Sequence, residues 1–575
     1  MQPNRHNPKT KVPNATANRD YKNVPTSHTV LPWAIVVIGV ALLALPVIGL
    51  IAAAFEPGAG RAWSGFLTQV LPGYAWNSLV LALGVAAGTI ALGTGAAWIV
   101  ERYDFFGRNV FAWALMLPLA IPAYVSAYAV TDFLAFAGPL QTALRGAFTW
   151  QKGDYWFPDF FSLGGAMVLF SLALYPYVYF LARDAFAERG LQLVDAARTL
   201  GLTPKQAWWR VALPVARPAV IGGALLAVME TLADYGAVSY LNIETFTVGV
   251  FRSWFNLGNK AAAAQLSLLL LVFIGVLVLV EMRLRKQARF TPARAGHAPR
   301  RQRVRGLGAA WLFGLCALPI ALGFIAPIAL LARLLVRSTE TLWTPALQNA
   351  IFDSLRLGAG AAIGCCALVV ASALTIRRSQ RRLQRRLQHR LQHRLQHLSG
   401  TEALQTTSSA IHKTLALAYS VPGAVLAVGL LTPLAFLDRA APSPWFTGTM
   451  CAVLLGCIIR FYGVAANSID AALARIPRSV DDATQALGVR GAQALREVYF
   501  PLLKRAAGSA LLLVFVDTLK ELPATLSLRP FNFDTLATLT HTLTKDERLA
   551  EAAAPSLIIV AICLVPIWVL ARGRK

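Results

Sequence analysis

Residues Asp195–Pro214 read DAARTLGLTPKQAWWRVALP, and Asp482–Pro501 read DATQALGVRGAQALREVYFP. In each stretch an acid opens a short helical turn, a glycine follows six residues later, and a proline follows thirteen residues after that. A shift of 287 positions carries Asp195 onto Asp482, Gly201 onto Gly488 and Pro214 onto Pro501 without a gap. Val194, Ala197 and Leu200 recur at the spacing of one helix face. The small Ala196 and Ala197 leave room for another backbone. Gly201 can take positive φ and end the helix. Thr203 can cap a second helix, with Pro204 at its first position. The spacing predicts helix, glycine turn, helix, with Pro214 placed just before the chain re-enters apolar sequence.

The sequence around these stretches is apolar. Of 575 residues, 56% are hydrophobic and 14% charged, which excludes a soluble protein. The net charge is +26. Nucleic acid is not the expected partner, because Lys and Arg are confined to alternate loops, a mark of membrane topology. Spans of bilayer length fall at about 30–55, 76–100, 110–135, 160–183, 217–241 and 262–284. A second set falls at about 307–335, 350–376, 412–437, 446–468, 505–528 and 551–571. This predicts an all-α membrane protein of about twelve transmembrane helices in two parallel, pseudo-symmetric six-helix halves, residues 30–284 and 307–575. Residues 1–29 read as a disordered cytoplasmic tail and 285–306 as a basic cytoplasmic linker. Loops 101–109, 184–216, 285–306, 377–411 and 469–504 hold most of the Lys and Arg. The positive-inside rule therefore puts both termini and both duplicated stretches in the cytoplasm.

The duplication extends beyond the loops. Glu230-Thr-Leu-Ala-Asp234 corresponds to Asp517-Thr-Leu-Lys-Glu521 at the same offset of 287. Asn77-Ser78-Leu79 corresponds to Asp353-Ser354-Leu355, and Ile121-Pro122 to Val421-Pro422, at offsets of 276 and 300, as loops of altered length require. Acids inside spans are costly unless they face a cavity or a partner, so Asp132, Glu230, Asp234, Asp517 and Glu521 are candidate pathway residues. Glu230/Asp234 and Asp517/Glu521 are i, i+4 pairs, which puts each pair on one helix face. Two readings stand: an acidic lining for a cation, or structural acids, with Lys520 neutralising a neighbour.

Other chemistry is sparse. There is no G-x-x-x-x-G-K-[ST] loop, so energy from ATP must come from a partner. No Ser-His-acid set or zinc-type cluster argues for an enzyme. The six Cys (316, 365, 366, 451, 457 and 563) lie in apolar spans and read as packing residues. Arg377–His397, RRSQRRLQRRLQHRLQHRLQH, is a low-complexity repeat in a tolerant cytoplasmic loop. Its His389, His393 and His397 have a spacing that can bind metal; the plainer reading is a repeat expansion that touches anionic lipid.

The acid-Ala-Ala, glycine and apolar-x-Leu-Pro pattern resembles the EAA loop of ABC-transporter permeases. The first copy fits as DAA; the second departs, with DAT and with Phe500 before Pro501. Met116–Arg145 and Leu519–Thr538 resemble the fused, two-EAA-loop permeases of bacterial ferric iron uptake, and the likeness covers nearly the whole chain. The resemblance implies a type I importer permease in the bacterial inner membrane, without a cofactor of its own. It implies a homodimeric cytoplasmic ABC ATPase that carries ATP-Mg, and a periplasmic substrate-binding protein. It assigns ATPase coupling to Asp195, Ala196, Ala197, Gly201 and Pro214, and to Asp482, Ala483, Gly488 and Pro501. Ferric iron is the expected cargo; thiamine, sulfate or polyamine fit the same architecture. A gradient-driven secondary transporter is the reading from a different class, and two matching docking loops speak against it.

Overall fold

The computed structural model describes residues 27–56, 70–151, 153–187, 191–286, 301–338, 343–393, 421–440, 445–489 and 491–572. Nearly all of the expected tail, most of the linker, His397 and the start of the expected 412–437 span lie outside these residues. In chain order the first half holds α1 (Ser27–Ala54), α2 (Leu71–Arg102), α3 (Arg108–Ala114), α4 (Ala123–Leu134), α5 (Pro139–Phe148) and α6 (Leu163–Ala185). Then follow α7 (Leu191–Thr199), α8 (Pro204–Ala233), α9 (Gly236–Tyr240), α10 (Phe246–Phe251) and α11 (Lys260–Lys286). The second half holds α12 (Leu307–Arg337), α13 (Pro345–His393), α14 (Gly423–Arg439), α15 (Met450–Arg475) and α16 (Arg478–Ala486). It ends with α17 (Leu495–Leu519), α18 (Pro523–Leu528), α19 (Leu536–Lys545) and α20 (Leu549–Arg572).

Ten of the described helices are long and apolar enough to cross a membrane, and a bent pair counted as one span makes eleven. The chain is an all-α membrane protein. Among the described residues one sheet occurs, a parallel pairing of β1 (Tyr103–Asp104) with β2 (Gln302–Arg303). It ties the segment between the halves to the end of α2, where Arg301 also reaches Glu101 at 3.1 Å.

The halves repeat one packing plan. Helices α2, α6 and α8 pack on one another, as do α13, α15 and α17. The opening helix of each half crosses over: α1 lies on α14, and α12 lies on α4 and α20. A β-carbon on Gly49 would strike the Gly429 carbonyl, and one on Gly429 would strike Pro46, so this crossing needs glycine on both helices. One buried core joins the halves, with Tyr124, Tyr128 and Phe170 against Leu519, Leu522 and Ile559. The Ser78 and Ser354 correspondence is structural. Both serines are buried, and they accept from the Phe246 and Leu536 N–H groups at 3.2 and 2.7 Å, where α10 and α19 begin.

Several expectations are corrected. The span expected at 110–135 is broken: Arg108–Ala120 and Ala123–Phe148 meet at 87°. Pro122 ends the first segment because it has no N–H to continue the ladder. The span expected at 217–241 starts earlier and stops sooner, as α8 runs from Pro204 to Ala233. Pro214 therefore lies inside a continuous helix, behind a π turn at Trp208–Ala212. The π turn shifts the hydrogen-bond register just before Pro214 and so accommodates a residue that has no N–H to donate. The span expected at 505–528 likewise runs from Leu495 to Leu519. Helix α13 continues to His393, well past the expected 376, because the Arg/Gln/Leu repeat is rich in helix formers. The side chains of His389 and His393 lie outside the described residues.

Candidate functional site

Three helices break around one cavity. The breaks lie at Ile121-Pro122 before α4, at Asp234-Tyr235 between α8 and α9, and at Lys520–Leu522 between α17 and α18. They surround a cavity of about 90 Å3 lined by Leu119, Pro122, Tyr124, Tyr177 and the charged residues Glu230, Asp234, Arg460, Asp517, Lys520 and Glu521. Irregular backbone inside a membrane is tolerated where it lines such a cavity. The cavity thus gathers four of the five candidate acids. Asp132 is not among its lining residues and is half-buried near the end of α4.

The i, i+4 geometry expected for these acids is corrected. Glu230 and Asp517 are helical, but Asp234 and Glu521 lie just past the ends of α8 and α17. Each turns forward to cap the next short helix. Asp234 Oδ1 accepts from the Ala237 N–H at 2.7 Å, and Glu521 Oε1 from the Ala524 N–H at 2.9 Å. The equivalence at offset 287 is therefore one of caps at a helix break.

The two walls differ in charge. On the second-half wall, Arg460 Nε lies 2.9 Å from Glu521 Oε2, with Glu521 buried. Lys520 Nζ lies 3.3 Å from Asp517 Oδ1 and donates to the Leu119 carbonyl of the other half at 3.2 Å. At the matching first-half positions stand Ala173 and Ala233. The cavity presents four carboxylates against two cationic side chains. Sequence reasoning singled out the acids but missed Arg460, whose signal was an arginine in the middle of an apolar span. Among the described residues, no group of three or more His, Cys, Asp or Glu is arranged to hold a metal.

A second cavity of about 610 Å3 is lined by Tyr235, Asn242, Glu244, Arg252, Arg529, His541 and Lys545, among others. Tyr128 and His541, from opposite halves, meet nearby at 3.1 Å.

The duplicated loops lie apart from both cavities. Asp195 does not open its helix: α7 begins by Leu191, so Asp195 is mid-helix, as Asp482 is in α16. Of the face expected at Val194, Ala197 and Leu200, the first two are buried, but Leu200 is 84% exposed. The helix ends before it can turn Leu200 inward. Gly201 has φ +94° and Gly488 φ +73°. Both helices end in a Schellman turn: the Leu202 N–H reaches the Ala197 carbonyl at 3.2 Å, and the Val489 N–H the Thr484 carbonyl at 3.1 Å. The residue before each glycine, Leu200 or Leu487, is thrown outward and is 84% or 79% exposed. Thr203 and Gln206 form a capping box on the helix that follows, and Trp208 packs on Trp98 of α2 at 4.6 Å between ring centroids.

The loops are anchored differently. Arg102 Nη1 holds Asp195 Oδ1 at 2.6 Å. In the second half Arg377 Nε holds Asp481 Oδ2 at 3.0 Å, and the Tyr499 hydroxyl donates to the same carboxylate. Asp481 takes the place of Val194, and Tyr499 that of Ala212, so an apolar contact in one loop is a buried polar cluster in the other. Ala196 is exposed, while Asp482 and Ala483 face outward on α16.

Two pseudo-symmetric helical halves, broken around a shared intramembrane cavity and each carrying a glycine-hinged hairpin, define a membrane permease. Residues 89–286 match the family described as binding-protein-dependent transport system inner membrane component. It is 26% identical over 547 residues to the Fe(3+)-transport system permease protein FbpB 2 of Haemophilus influenzae, covering 94% of this chain and 97% of that protein. Over 216 residues it is 28% identical to the sulfate transport system permease protein CysW of Synechocystis, covering 36% of this chain and 74% of the relative. Over 233 residues it is 26% identical to the molybdenum transport system permease protein ModB of Escherichia coli, covering 38% and 96%. The chain is a multi-pass inner-membrane translocation subunit and not an enzyme; in this family the ATPase is a separate subunit, and a substrate-binding protein is a further partner.

Proposed function

We propose that this chain is the complete membrane pathway of an ATP-driven importer of ferric iron, with its two halves serving where other systems use two permease subunits. The observation that carries the reading is the likeness to a ferric permease along nearly the whole of both chains. The cavity supports it. Four carboxylates against two cations suit a metal cation, whereas sulfate and molybdate are oxyanions that such a lining repels.

Coupling is assigned to Asp195–Pro214 and Asp482–Pro501. Both termini and both loops face the cytoplasm, where a homodimeric ATPase carries ATP-Mg and each subunit receives one loop. Two exposed leucines at matching hairpin tips provide the apolar anchors that such docking needs. Closure of the ATPase dimer then pulls the loops together. Continuous helices α8 and α17 carry that motion to the breaks at Asp234 and Glu521. Residues 30–284 and 307–575 act as the two moving halves.

The test is reconstitution in liposomes with the candidate ATPase and binding protein. Uptake of radioactive ferric iron is expected to need both ATP and the binding protein, and to exceed uptake of labelled thiamine, sulfate and polyamine. ATP-dependent uptake of one of those in place of iron would overturn the cargo and leave the coupling scheme.

A further inference from the structure

Lys520 stands out within the cavity. Its ammonium reaches across from the second half to the Leu119 carbonyl while lying 3.3 Å from Asp517 Oδ1. Leu119 lies in the short helical turn before the break, and the residue three positions on is Pro122, which has no N–H to offer its carbonyl. A carboxylate oxygen and a carbonyl oxygen converge on one point, the kind of oxygen set that holds hard cations. The Glu230 carboxylate lines the same cavity. The first half places Ala233 where the second has Lys520, so the arrangement exists once per transporter.

We propose that Lys520 is a tethered cation: its ammonium fills the cargo's position in the empty cavity and competes with the passing ion for Asp517 and the Leu119 carbonyl. The inference rests on the reading of the cargo as a cation. An arriving ion displaces the ammonium from these oxygens, and the ammonium returns as the ion leaves. Binding stays weak enough for release, and the empty cavity is closed to other cations.

The test uses the intact transporter with Tb3+, a trivalent ion that prefers oxygen ligands and whose luminescence is sensitised by nearby tyrosine. Tyr124 and Tyr177 line the cavity. Lys520→Met is expected to bind Tb3+ at least tenfold more tightly than the unaltered protein, and Lys520→Arg to behave as the unaltered protein does. The gain should vanish in Lys520→Met/Asp517→Asn. Lys520→Gln, which is neutral and polar, should reproduce the gain and serves if the methionine variant fails to fold. A purely structural lysine would yield no gain, and an unchanged Tb3+ affinity in both neutral variants would overturn the proposal. So would a gain that persists without Asp517. Ferric uptake by the unaltered transporter with no Tb3+ gain would overturn this inference alone; a Tb3+ gain without ferric uptake would support it and overturn the cargo reading alone.

Discussion

Gly201→Val combined with Gly488→Val is expected to lower ATP-driven uptake at least tenfold while the permease remains folded in the membrane. Both glycines have positive φ, +94° and +73°. An L-residue in the left-handed region costs about 1–2 kcal/mol, and a β-branched one is a marked outlier there. No heavy atom lies within 4 Å of a β-carbon built at either site, so the penalty is one of backbone conformation and not of collision. The chain relieves it by opening the Schellman turn, which releases the Ala197 and Thr484 carbonyls and moves the Leu200 and Leu487 tips. Misplacing both docking tips by about 1.4 kcal/mol of binding is already a tenfold loss. Asparagine tolerates the left-handed region, so Gly201→Asn/Gly488→Asn is expected to retain most uptake. Uptake by the double valine variant at the unaltered rate would remove the loops from the mechanism.

Glu521→Leu is expected to produce the largest loss of stability among substitutions in the cavity. Arg460 and Glu521 are both buried, and the carboxylate also accepts the Ala524 N–H that starts α18. Removing one partner of a buried pair costs about 3–5 kcal/mol, because the remaining charge stays buried without the group that faced it. Arg460→Met/Glu521→Leu removes both charges and is expected to recover most of that loss, since apolar replacement of a whole buried pair is often neutral. Thermal unfolding of the purified transporter checks this as a double-mutant cycle. A loss in the double variant equal to the sum of the losses in Arg460→Met and Glu521→Leu alone would show that the pair does not act as a unit.

The sequence carried the class of fold through two features that need no tertiary information: bilayer-length apolar runs, and a duplication legible from Gly201/Gly488 and Glu230/Asp517. It did not carry the helix breaks. Asp234 and Glu521 sit four residues beyond helical acids, and periodicity alone extends a helix through them. Their role as caps depends on where α9 and α18 turn, which is fixed by packing across the halves. Lys520 and Arg460 illustrate the same limit. Pairing of Lys520 with Asp517 is local at i, i+3 and readable, but its reach to Leu119, 401 residues away, is not. Arg460 meets Glu521 over 61 residues, for which no local pattern exists. The shift from Asp482 to Asp481 as the anchored acid was hidden for another reason. Alignment at offset 287 pairs Asp481 with Val194, and only burial shows that an apolar position has been refilled by a charge held by Arg377 and Tyr499.

The central claim is that each half of one chain presents one cytoplasmic docking tip to the ATPase. Cysteine crosslinking tests it most directly. Cys451, the exposed native thiol among the described residues, is first replaced by serine. Leu200→Cys and Leu487→Cys are then introduced singly and together beside the ATPase. Each single variant is expected to crosslink to one ATPase chain and the double variant to two, with neither thiol labelled by an impermeant reagent added outside intact cells. Labelling from outside, or a crosslink from one tip alone, would contradict the account.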